Sequence, residues 1–180
     1  MTINDLQEAL IREIEKITKE INLVNCRGEN VYLKGYQQAI PLMSVRASDG
    51  LLDEDAPSDG LLDEDAPSDE AELFPYFITR VDTVKYQDEQ AEGANRAHVM
   101  IAFAIYDEDT GYKGYYTLTA VMERVIQRFQ TDPVLDAFWC ERQMGAAYQE
   151  DDTYPQFFGA LEMIWNLPDV AVDPVNEEWL

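Results

Sequence analysis

Few side-chain types in this chain could do chemistry. His98 is the only imidazole, Cys26 and Cys140 are the only thiols, and beside them stand 36 Asp and Glu residues. A single histidine excludes, within one chain, a metal centre with two His ligands and a pair of imidazole acid-base groups. His98 falls in an alternating apolar run, where it reads as a satisfied, half-buried strand residue. The cysteines lie far apart and form no Cys-x-x-Cys pair, so they read as reduced, buried thiols of a cytoplasmic product. The chain has no Gly-x-Ser-x-Gly elbow, P-loop or dinucleotide fingerprint. Carboxylates are the one abundant reactive group, and their chemistry would be cation binding or paired acid-base work.

The carboxylates concentrate in a repeat. Residues 48–57, Ser-Asp-Gly-Leu-Leu-Asp-Glu-Asp-Ala-Pro, are followed by an identical copy at 58–67. Between Asp49 and Glu72 there are eleven acidic residues and no basic one, with Asp53, Glu54, Asp55, Asp63, Glu64 and Asp65 at the centres of the copies. An EF-hand needs oxygen ligands at alternating positions, a glycine at the sixth and a glutamate at the twelfth, and neither copy has that register. The Gly-rich nonapeptide of calcium-binding β-helices is also missing. Charge repulsion, two Asp-Gly turns and two prolines instead predict an exposed, mobile acidic loop over 46–73. Asp107-x-Asp109-x-Gly111 reads as an ordinary Asp-rich turn between a strand and a helix.

The elements that must carry these residues follow from periodicity. Ile3, Leu6, Leu10, Ile14, Ile17 and Ile21 recur at three- and four-residue steps, predicting a helix packed on a sheet and capped by Asn4 or Asp5. Glu8, Arg12, Glu13, Glu15, Lys16, Lys19 and Glu20 fill its remaining surface. A short strand is predicted over 31–36, and an extended piece over 40–45 in which Pro41 demands an edge or a loop. Residues 74–86 read as a strand, 87–95 as a hairpin connection, and 97–106, apolar on both faces, as the central strand. Leu118, Val121, Met122, Val125, Ile126 and Phe129 mark a second helix, ended by Thr131-Asp132-Pro133. A strand near 138–144 pairs, across a turn at 149–154, with a C-terminal strand. In that last strand Leu161, Met163, Trp165 and Leu167 share one face, and Ala160, Glu162, Ile164 and Asn166 share the other. The expected fold is one α+β domain over 1–180, a mixed, mostly antiparallel sheet with two helices packed on one face.

Two stretches carry a family likeness. One is Asp151-Asp152-Thr153-Tyr154-Pro155 leading into the strand from Phe157 to Pro168; the other is the strand that ends Tyr106-Asp107-Glu108-Asp109-Thr110-Gly111, with the helix after it. In order and spacing, residues 74–168 resemble the tail terminator (tail completion) proteins of tailed bacteriophages and prophages. The resemblance implies a structural protein without catalytic, cofactor-binding or metal-binding residues. Such subunits form a homo-oligomeric, usually hexameric ring at the head-proximal end of the tail tube, which stops tube polymerisation and joins the head. The implied partners are the tail tube protein, head-tail connector or neck proteins and, in a contractile tail, the sheath. The implied location is the virion tail or neck, assembled in the host bacterial cytoplasm. Tyr112, Tyr115, Tyr116, Tyr154 and Phe157 are the candidate aromatic anchors of such contacts. The duplicated acidic insert departs from the family pattern.

Charge limits the partners further. The chain carries 36 acidic and 13 basic residues, a formal charge of -23. That argues against duplex DNA, whose phosphates need Lys and Arg, and against an anionic membrane surface. The start of the sequence has no basic segment followed by an apolar run, and no later run is long enough to span a bilayer, so neither a signal peptide nor a membrane span is expected. Two other readings remain: another neck or head-tail connector component, and an acidic binding protein that mimics DNA at a basic site.

Overall fold

Thr2 opens the first helix, α1 (Ile3–Thr18). Its extended backbone lets Oγ1 accept the Asp5 N–H at 3.3 Å, while the Asp5 carboxylate accepts the Thr2 N–H at 2.6 Å. This reciprocal capping box makes Thr2 the cap in place of Asn4 or Asp5, both of which lie within the first turn. The helix stops at Thr18, before Ile21, and the Thr18 hydroxyl donates back to the Ile14 carbonyl at 2.7 Å. Ile21 is half-buried against the core although it lies outside the helix.

The computed structural model describes residues 2–40, 73–86, 95–111 and 113–168. After α1 come β1 (Leu23–Val24), β2 (Asn30–Val31), β3 (Lys34–Gln37), β4 (Tyr76–Lys85), β5 (Asn95–Tyr106), α2 (Lys113–Thr131), β6 (Val134–Leu135), β7 (Phe138–Tyr148) and β8 (Gln156–Leu167). The chain is α+β. Its six-stranded sheet runs β3-β4-β5-β8-β7-β6, and β1 and β2 form a separate antiparallel pair. Only β3 against β4 is parallel in the large sheet; its other pairings are antiparallel. The strand expected over 31–36 is therefore two strands in two sheets. The chain breaks at Tyr32 and Leu33 because Leu33 turns into the core, where it is 3% exposed. Ile40 is irregular, and the rest of the 40–45 piece lies outside the described residues, as do most of the connection after β4 and the acidic repeat.

Both helices cover one sheet face, α1 over β3 and β4 and α2 over β5, β7 and β8, and they touch each other. Register assigns Phe77, Val99, Ile101, Phe103, Ile105, Leu161, Met163 and Trp165 to that face. All are buried, against Leu6, Leu10 and Ile14 of α1 and Leu118, Val121, Met122, Val125 and Phe129 of α2. Each such side chain contributes roughly 1.5–3 kcal/mol by leaving water. The Phe129 ring meets Trp165 edge-on at 5.1 Å. As expected, β5 is central, paired on both sides along most of its length.

Glu13 is a second correction to the sequence reading. It lies in the interface between the helices, 9% exposed, and not on the solvent surface. Its Oε1 accepts from Arg128 Nε of α2 at 2.6 Å and its Oε2 from Lys16 Nζ at 3.1 Å. Burial pushes the Glu13 carboxyl up, but the Arg128 and Lys16 hydrogen bonds and charges outweigh it and hold it below the ordinary range. Gln7 is also buried, and its Nε2 donates to the Thr79 carbonyl at 2.7 Å, tying α1 to β4.

Candidate functional site

Two loops meet at one end of the sheet, the connection from β5 to α2 and the turn from β7 to β8. The Asp107 N–H donates to the Pro155 carbonyl at 3.0 Å, and the Tyr154 hydroxyl donates to the Glu108 carbonyl at 2.6 Å. The Tyr106 hydroxyl donates to the Glu108 carboxylate at 2.6 Å, which pushes the phenol up to about 12. Each loop is also shaped from within by its aspartates. Asp107 Oδ1 accepts the Asp109 N–H, Asp109 Oδ1 accepts the Gly111 N–H, and Asp152 Oδ1 accepts the Tyr154 N–H. These are the side-chain turns that Asp favours. Asp109 also pairs with Lys113, and that hydrogen bond holds its carboxyl below the usual value. The Asp107-x-Asp109-x-Gly111 run is therefore a structural turn, and no group of three or more potential metal ligands occurs among the described residues.

The loops hold up an aromatic surface. Tyr115 and Tyr116, in the first turn of α2, are 45% and 71% exposed, and Tyr154 is 41% exposed. Tyr115 packs against Tyr116 at 6.3 Å and Tyr148 at 5.4 Å. Neither the Tyr115 nor the Tyr116 hydroxyl has a partner among the described residues. Phe157 is half-buried beneath the helix start. A Cβ on Gly114 would fall 2.3 Å from the Phe157 ring, so glycine is what lets α2 begin directly over it. Tyr115, Tyr116, Phe157 and Phe158 line a groove of about 390 Å³, whose opposite wall is the turn carrying Glu150, Asp151 and Asp152.

Of the five candidate aromatics, the structure thus gathers Tyr115, Tyr116, Tyr154 and Phe157 at one end. Tyr112, and the acidic-loop residues Asp53, Glu54, Asp55, Asp63, Glu64 and Asp65, lie outside the described residues. His98 is half-buried on the helix-free sheet face, in a cavity of about 520 Å³ shared with Asp82, Thr83, Lys85, Gln143 and Glu162. Its ring, read from the sequence as satisfied, has no hydrogen-bond partner among the described residues. Both cysteines are free thiols; Cys140 is fully buried, Cys26 only partly. Burial, helped by the nearby Glu141 charge, pushes the Cys140 thiol up to about 12.

Two further surfaces were not evident from the sequence. On the helix-free face, Phe74 is 6% exposed and lies 5.2 Å from Tyr76, 6.2 Å from Tyr106 and 6.0 Å from Phe158. On the outer side of β7, the two-residue β6 pairs only with Phe138 and Trp139. From Met144 to Tyr148 that edge has no neighbouring strand among the described residues, and its Gly145-Ala146-Ala147 run carries none of the Lys or Pro that usually guard an edge. No helix among the described residues is long and apolar enough to cross a membrane. The chain matches no protein-family model, and a search of curated proteins finds no match either.

Proposed function

We propose that this protein is a structural assembly subunit of a tailed phage or phage-derived particle, a tail terminator that closes the head-proximal end of the tail tube. The observation that carries the reading is the exposed Tyr115–Tyr116 surface set beside the uncovered Met144–Tyr148 edge at one end of the sheet. Aromatic side chains and unpaired strand edges are what subunits bury against neighbours. The resemblance of residues 74–168 to tail terminators supplies the kind of assembly. A ring of such subunits needs unlike patches on each copy and a rotation that closes. In that ring the negative surface would repel DNA in transit.

The tyrosines test this reading without disturbing the core. Replacing Tyr115 and Tyr116 together by Ala should leave thermal stability nearly unchanged and reduce joining of tails to heads by about tenfold or more, each buried aromatic anchor being worth about 2 kcal/mol. Normal joining by a folded Tyr115→Ala/Tyr116→Ala variant would remove this surface from the interface. A second reading, an acidic protein that mimics DNA, is favoured by the gathering of Glu108, Asp109, Glu150 and Asp151 at the same end. It predicts that carboxylate replacements, and not the tyrosine pair, abolish binding to a basic site.

A further inference from the structure

The helix that presents the aromatic groove ends in a groove of the opposite character. Between the C-terminal halves of α1 and α2 is a depression of about 790 Å³ lined by Lys16, Lys19, Arg124 and Arg128, four of the chain's thirteen basic residues. Glu13, Glu20 and Asp132 share its lining; Glu13 is matched by Arg128 and Lys16, and Asp132 by Arg128, so the positive excess comes from Lys19 and Arg124, with Glu20 nearby. Arg124 is exposed and has no partner among the described residues, and Lys19 reaches only the Tyr32 ring, at 5.6 Å. A cationic groove is unexpected on a chain of net charge -23. The macrodipole favours cations on each last turn, but it does not require two helices to open theirs into a shared depression.

The two grooves lie at opposite ends of α2, Tyr115 and Tyr116 in its first turn and Arg124 and Arg128 in its second half. At about 1.5 Å per residue they are roughly 12–20 Å apart along the axis. One offers tyrosine faces and carboxylates, and the other offers Lys19 and Arg124, which have no carboxylate partner among the described residues. A guanidinium or ammonium in the groove, against an exposed face of Tyr115 or Tyr116, would gain both the ring quadrupole and charge-assisted hydrogen bonds to Glu150 and Asp151.

We propose that these grooves are the two halves of one head-to-tail contact, the basic groove of each copy receiving the aromatic, acidic groove of the next. The proposal rests on the ring reading above and names the contact that would build it. Because the two surfaces differ, the contact is heterologous: every copy gives one and receives one, and the series ends only by closing on itself. Arg128 stays on Glu13 and holds the groove's shape, while Lys19 and Arg124 make the contact.

Charge reversal tests it on the full chain. Lys19→Glu/Arg124→Glu makes both contact surfaces negative, and Glu150→Lys/Asp151→Lys makes both positive. Each variant alone should associate at least about tenfold more weakly than the wild type in low-salt sedimentation velocity, since like-charge juxtaposition opposes docking. All four positions are exposed, and circular dichroism verifies that each variant is folded. Mixed in equal amounts, the two variants pair native with native and reversed with reversed surfaces. They should recover wild-type association, forming assemblies of even number in native mass spectrometry. Wild-type association by either variant alone, no recovery on mixing, or a wild type that stays monomeric at every concentration would each overturn the contact. Tube length, measured separately, keeps the two ideas apart: rings that follow the charge rules but leave tubes unterminated would sink the terminator reading and leave the contact standing.

Discussion

Replacing Arg128 by Met should destabilise the fold sharply, and the structure gives the size. Arg128 Nε lies 2.6 Å from Glu13 Oε1, with the two side chains only 22% and 11% exposed. Methionine keeps the aliphatic stem packed but leaves the Glu13 carboxylate with Lys16 alone, whose own side chain is 71% exposed. Breaking a fully buried pair costs about 3–5 kcal/mol. Residual exposure and the remaining lysine reduce this to about 2–3 kcal/mol, on the order of 5–10 °C in Tm for a chain of this size. Urea denaturation of the wild type, Arg128→Met, Glu13→Gln and the double variant measures it. The double variant should recover at least half of the loss, because no unpaired charge stays buried.

Acid adds a second reading of the same pair. Glu13 titrates lower in the folded chain than the ordinary 4.5, so the unfolded chain binds more protons in acid. The stabilisation is present at neutral pH and is lost as pH falls through the folded value, and Glu13→Gln should flatten that acid limb. A loss below about 0.5 kcal/mol for Arg128→Met, the size typical of surface pairs, would refute the reasoning.

Two other outcomes are expected. Thr2→Ala removes the Oγ1 acceptor of the capping box and should cost about 1 kcal/mol in urea denaturation, while Asn4→Ala should cost far less. Under native conditions at pH 8 a thiol reagent should modify Cys26 and spare Cys140, whose thiol burial holds near 12; denaturant should expose both, and equal native rates would contradict the packing of β7.

Periodicity made much of the fold legible. Leu161, Met163 and Trp165 alternate with more polar neighbours because β8 has a helix layer on one side only, and the apolar run of β5 signals a strand flanked on both sides. The stripe of Leu118, Val121, Met122, Val125 and Phe129 places Tyr115 and Tyr116 off the buried face of α2. What could not be read depends on distant partners. A glutamate on an amphipathic helix looks solvated, and only Arg128, 115 positions away, makes Glu13 an interior residue. The break at Leu33 was hidden because the local pattern does not show that this side chain enters the core between two separate sheets. The basic groove was hidden for the same reason, its cations coming from two helices far apart in sequence.

The central claim is that this chain ends a tube. Its most direct test is electron microscopy of tails assembled with and without the protein at matched tube-subunit concentration. The account predicts overlong or unjoined tubes in its absence, and tubes of defined length bearing a ring at one end in its presence. The same length distribution in both preparations, with no ring at either end, would contradict it.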